Sequence, residues 1–262
     1  MAILFSDFRA SYFKRYFELN PVEAIHYGID GYDHLLRGYS DDAYQAEKAF
    51  AQESLKQLRE ISVRELTKDE TIDYALMEGR LTIETYELNK EDYRLKWPEI
   101  YLPTSHIYIL TVRPTRDIAG NITSRLEQFP QVIAEGVSNL SRAAANPPQL
   151  WSQMALEAAK GGLACLSDLP NHPKVKDALP DRERFQNALE KAKKAVQDFR
   201  EFLAHDLIPR SQGSYAVGAE HYHLLLKKRH FLSHDASTLL ALGDRLFQET
   251  QQELTTLADV IA

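Results

Sequence analysis

The segment DASTLLALGDRLFQETQQELTTLADVIA, residues 235–262, places Leu239, Leu242, Leu246, Leu254, Leu257 and Ile261 at intervals of three, four, seven and eight. That spacing is helical, because side chains three and four apart share one face of a 3.6-residue turn. A helix of this length needs a partner for its apolar stripe. Neither Gly, Pro nor a basic last turn marks its end, so the segment reads as a helix that continues and the chain as the front part of a longer protein. Working backward, DRERFQNALEKAKKAVQDFREFLAHDLIPRS, residues 181–211, reads as a helix that begins at Asp181, carries Phe185, Leu189, Ala192, Val196, Phe199 and Leu203 on one stripe, and stops before Pro209.

Most of the remaining chain follows the same pattern, and an all-α, irregular multi-helix array is expected. Phe5, Phe8, Tyr12, Tyr16 and Leu19 mark the face of a first helix, with Ser6 or Asp7 as its cap. This aromatic stripe suits core packing better than a membrane surface. Asn20-Pro21 opens a short helix that ends at Gly28, and a loop follows to Gly38. A long helix runs from Ser40 toward Leu66, and Thr67-Lys-Asp-Glu70 is a capping box that starts another. Residues 97–114, with Pro98, Pro103 and Pro114 among β-branched and aromatic residues, read as extended chain or a turn-rich connection, with a minor strand pair, and a sub-boundary is expected near 90–115. Beyond Thr115, Phe129-Pro130 reads as a helix break and Gly161-Gly162 as a weak point. The stretch around Pro170 and residues 210–218 read as loops, and a helix begins at Ala219.

The chain has 262 residues, 44% of them hydrophobic and 26% charged, which suits a single helical region of ordinary globular composition. A net charge of −7 gives no basic footprint for nucleic acid. Cys165 is the only cysteine, so the chain forms no internal disulfide, and its apolar surroundings suit a small buried hydrophobe rather than a nucleophile. No run approaches the roughly 18 apolar residues of a membrane span, and Asp7 and Arg9 interrupt the apolar start before a signal-peptide core forms. A cytoplasmic location, without membrane or nucleic-acid partners, is expected.

Phe199, Phe202, Leu203, Leu207 and Pro209, followed by Gly218-x-Glu220-x-Tyr222 and Leu239 to Asp244, resemble the bacterial family catalogued as domain of unknown function 885. Pro21, Ala24 and Gly28 resemble its opening, and Arg125 to Pro130 with Asn139-Leu140 its middle. The resemblance implies a mostly helical, metallopeptidase-like protein of about twice this length. It also implies a metal site, for zinc or another divalent ion, built from a His-Glu pair and a Pro-Gly-His element in the half not present here. This sequence has no His-Glu dipeptide, so no catalytic and no metal residues are expected in it, and the isolated chain is expected to be inactive. Its expected partners are the C-terminal half of the same protein or a second copy of this chain, together with a peptide substrate.

The substrate-binding candidates are Gly218, Glu220 and Tyr222. A glycine at a loop-to-helix junction lets the backbone approach a ligand. A first-turn Glu complements the helix dipole and can hold an amino group, and a tyrosine hydroxyl can donate to a carbonyl or oxyanion. The plainer alternative is helix capping with a packed tyrosine ring. Two Glu-x-x-His pairs, Glu23/His26 and Glu220/His223, allow a weaker di-iron reading. His221, His223, His230 and His234 allow a weaker zinc reading. A helical binding module without enzymatic ancestry is the rival function.

Overall fold

The computed structural model describes residues 4–179 and 181–261. Among these residues there are eleven α-helices and no strand. They divide into two compact units, each built from separate parts of the chain.

The larger unit comprises residues 4–50, 88–179 and 181–215 among those described. Its core is the packing of helix α6, Ile118–Leu140, on α9, Arg182–Phe202, with α7, Gln149–Asp168, against α9. Phe129, Phe185, Leu189, Val196 and Phe199 are fully covered. The helix expected to begin at Asp181 starts one residue later, with Asp181 as its cap, the carboxylate accepting the Arg184 N–H at 2.9 Å. Helix α1, Phe5–Leu19, buries Phe8, Tyr12 and Tyr16 as a stacked row, with the Tyr12 ring 5.3 Å from Phe50, so the aromatic stripe belongs to the core. The α1 cap position is Leu4, without a side-chain bond, rather than Ser6 or Asp7. The short helix α2, Pro21–Ala24, opens on proline and runs through a 3₁₀ turn, Ile25–Tyr27, to Gly28 at φ 69°. The loop that follows is tied down by polar contacts. Arg37 donates to Asn20 and Tyr93, both at 2.6 Å, and Tyr93 donates to Glu47 at 2.9 Å.

The expected strand pair at 97–114 is absent. The segment forms a 3₁₀ turn, Pro98–Tyr101, and helix α5, Thr104–Val112. Pro98 stands at the first position of its turn and Pro103 at the cap of α5, sites where proline's missing N–H costs nothing. Ile107, Leu110 and Thr111 are buried at helical spacing. Pro130 likewise lies inside an unbroken α6, between buried Phe129 and Val132, and packing holds the helix across the lost hydrogen bond. Helix α7 also continues through Gly161-Gly162, and Gly162 sits where a Cβ would come within 2.8 Å of Thr104. The loop expected around Pro170 contains a 3₁₀ turn and helix α8, Pro173–Lys176. After α9 the chain makes a π-turn, Leu203–Leu207, and a 3₁₀ turn, Ile208–Arg210, which aim Arg210 at the Leu140 and Ala145 carbonyls and Ser211 at Ser152, Oγ to Oγ 2.8 Å.

The smaller unit comprises residues 51–87 and 216–261 among those described. It takes the end of α3, Asp41–Arg59, most of α4, Lys68–Lys90, and all of α10, Ala219–Lys228, and α11, Ala236–Ile261. Helix α3 ends at Arg59, short of the expected Leu66, and a separate 3₁₀ turn spans Val63–Glu65. The capping box is formed: Thr67 Oγ1 accepts from the Glu70 N–H at 3.3 Å and Glu70 accepts from the Thr67 N–H at 3.0 Å. Leu58, Leu81 and Leu226 are buried. In contrast, no described residue of α11 is buried. Leu246 is 49% exposed, Leu254 63%, Leu257 57% and Ile261 84%, so the stripe read from sequence lies open.

Candidate functional site

The junction at the start of α10 concentrates the sequence signals. Gly218 caps the helix at φ 83°, ψ 162°, a conformation open essentially to glycine alone. No neighbouring atom lies within 4 Å of where a Cβ would stand, so the backbone angle and not crowding demands glycine. The Gly218 carbonyl accepts the Tyr222 N–H at 3.0 Å and starts the helical ladder. Glu220 is exposed, and Tyr222 is 41% exposed. Two residues apart on a helix, they point to different sides of the first turn.

His221, between them, turns inward. Its Nε2 lies 2.9 Å from Glu87 Oε1, and its ring centroid lies 5.2 Å from that of Tyr86. Seven residues on, Lys228 Nζ donates to Glu78 Oε2 at 2.8 Å. Ascending positions on α10 thus meet descending positions on α4, and the two helices run antiparallel. Gly79 permits the close approach: a Cβ there would stand 2.3 Å from the Lys228 carbonyl oxygen. Burial works to raise the Glu78 carboxyl. Hydrogen bonds from Lys228, Arg59 and Thr82 outweigh it and hold the carboxyl down at about 2. The α4–α10 clasp was invisible in the sequence, because Glu87 and His221 are 134 residues apart.

A groove of about 490 Å³ opens on this helix pair, between Leu76, Ile83 and Glu87 on α4 and Lys228, Arg229 and Phe231 at the end of α10. Phe231 holds a left-handed backbone, φ 54°, in the turn where the Leu232 N–H donates to the Leu226 carbonyl at 2.9 Å. Gly218, Glu220 and Tyr222 do not line the groove.

The metal readings find no support. Among the described residues no group of three or more His, Cys, Asp or Glu side chains gathers to hold an ion. His223, His230 and His234 are exposed, as is His26. Cys165 is half-buried, and burial, with Asp168 nearby, pushes its thiol up, away from the reactive thiolate. A buried cation escaped notice in the sequence. Arg125 is fully covered, donates only to the His106 carbonyl, and leaves Nε and Nη2 without partners.

The family model described as bacterial protein of unknown function, DUF885, matches residues 21–262. The chain belongs to this family. No curated protein matches the DUF885 chain. Among solved structures it is similar to a Shewanella oneidensis protein described as a candidate lipoprotein of unknown function. The two share 18% identity with a TM-score of 0.81, over 98% of this chain and 48% of that one. The chain thus spans about half the length of the solved structure it matches, and the likeness is one of fold. Among the described residues of the DUF885 chain, no helix is long and apolar enough to cross a membrane.

Proposed function

We propose that this DUF885 chain is the non-catalytic N-terminal half of a metal-dependent, peptidase-like hydrolase, and that it forms one wall of the substrate cleft with Gly218, Glu220 and Tyr222. The observation that carries this proposal is the rigid presentation of two exposed polar side chains. Gly218 fixes the entry angle of α10, and the His221–Glu87 and Lys228–Glu78 contacts clamp that helix to α4. Both side chains are exposed at the start of α10, where Glu220 suits an amino group and Tyr222 a carbonyl of an extended peptide passing over the end of the helix. In this reading the metal belongs with a His-Glu element, a dipeptide that this sequence lacks. We also propose a cytoplasmic setting, supported by the single half-buried thiol.

The test uses the full reading frame that encodes this chain. E220Q and Y222F should each lower kcat/KM on short peptides by at least tenfold, about 1.4 kcal/mol, with unchanged melting temperature. This chain alone should hold no zinc and cleave nothing. Stoichiometric zinc on this chain, peptide cleavage by it, or full activity in both variants would each refute the proposal. A helical binding module remains the second reading, and the open face of α11 is the observation that favours it.

A further inference from the structure

Helix α11 stands apart from every other long helix of the chain. It has 26 residues and an apolar face in two clusters, Leu239 to Phe247 and Leu254 to Ile261, separated by the polar run Gln248 to Glu253, yet none of its described side chains is buried. Leu246, Phe247, Leu254, Leu257, Val260 and Ile261 are each between 49% and 84% exposed. Together with Leu240, these side chains leave two apolar clusters open on one side of the helix. Clustered exposed apolar side chains rimmed by polar residues mark interaction sites.

The borders of the stripe say what fits it. Glu249 and Glu253 interleave with Leu246 and Leu257 at three- and four-residue steps along one edge, and Asp244 stands one turn before Phe247 on the other. Arg245 is the only cation on the helix, and it already lies 3.6 Å from Glu249. A second copy of α11 would bring acidic edges against acidic edges. An anionic lipid surface would meet the same repulsion, since helices that lie on membranes carry basic flanks.

We propose that α11 is a docking surface for an amphipathic helix whose apolar stripe is bordered by lysine or arginine. This stands on α11 alone and does not depend on the cleft-wall proposal.

Two synthetic 21-residue helical peptides with the same leucine stripe, one bordered by lysine and the other by glutamate, test it by fluorescence anisotropy. A lysine peptide with a scrambled stripe controls for net charge. The lysine-bordered peptide should bind at least about tenfold more tightly than either of the others. E249K/E253K should reverse the preference, and L254S/L257S should abolish binding. All four positions are exposed, so folding does not depend on them. Equal affinity for the two striped peptides, or a preference that survives E249K/E253K, would overturn the proposal. So would a solution dimer, measured by light scattering, that L254S/L257S dissolves, because a second copy would then be the occupant. Co-sedimentation with vesicles of two parts phosphatidylcholine and one part phosphatidylglycerol, lost in L254S/L257S, would assign the face to lipid instead.

Discussion

Replacing Arg125 with methionine should make the protein more stable. The guanidinium is fully covered and donates one hydrogen bond, to the His106 carbonyl, while Nε and Nη2 have no partner. Burial pulls its pKa below the ordinary arginine range, down to about 10, against a weaker opposing pull from Asp33. At 1.36 kcal/mol per unit, that drop means the charged form costs the native state about 3 kcal/mol at neutral pH. Methionine matches the arginine stem in length and needs no hydrogen bond. The His106 carbonyl lies within α5, where the ladder supplies it with the N–H four residues on. Allowing for imperfect packing, R125M should gain about 2 kcal/mol, which for a chain of this size raises Tm by about 5 °C. Scanning calorimetry measures this directly. The pH dependence gives a second check. The folded-state pKa lies below the unfolded one, so from about pH 10 up to the ordinary arginine range the unfolded chain binds more protons and wild-type stability rises with pH. The gap between variant and wild type should therefore narrow above pH 10. A lower Tm for R125M, or a gap unchanged across that window, would refute the reasoning.

Three further outcomes are expected. G79A should cost about 2 kcal/mol in urea unfolding, because its Cβ would stand 2.3 Å from the Lys228 carbonyl and push α10 off α4; a loss below about 0.5 kcal/mol would contradict the close approach. G218A and G243A should move stability in opposite directions although both sites are open. The first forces a side chain to φ 83° and costs about 1–3 kcal/mol, while the second removes a helix-interior glycine and gains about 1 kcal/mol; the same sign in both would undo the backbone argument. Glu78 has a folded-state pKa held at about 2, so its contribution is fully present above pH 4.5 and is lost as pH falls toward 2. E78Q should accordingly be less stable than wild type at pH 7 and nearly equal to it near pH 2, in thermal melts across that range.

What the sequence made legible was mostly local. The Thr67–Glu70 box, Asp181, Pro21 and Gly28 act through neighbours within a few residues, and each does in the structure what its residue type suggests. The segment around Pro98 and Pro103 misled because proline looks the same whether it ends a helix or begins one, and only the burial of Ile107 and Leu110 distinguishes the two. Pro130 misled because tertiary packing outweighs one lost bond. At the candidate site, Gly218 was legible because an unusual backbone leaves a mark in residue type. The partners of His221 and Lys228 were not, since they depend on how α4 meets α10. The burial of Arg125 leaves no mark in the sequence, because charged residues on amphipathic helices normally face water.

The π-turn at Leu203–Leu207 is, in register terms, one residue too many. Each residue of an α-helix advances the chain by about 100°, so the surplus one resets the phase of everything after it. Deleting a single residue there would give a more regular helix while rotating Arg210 away from the Leu140 and Ala145 carbonyls and Ser211 away from Ser152. The irregular turn works as a phase adjuster: substitutions at its exposed positions His205 and Asp206 are tolerable as long as they keep its length, whereas a one-residue deletion would misdirect Arg210 and Ser211.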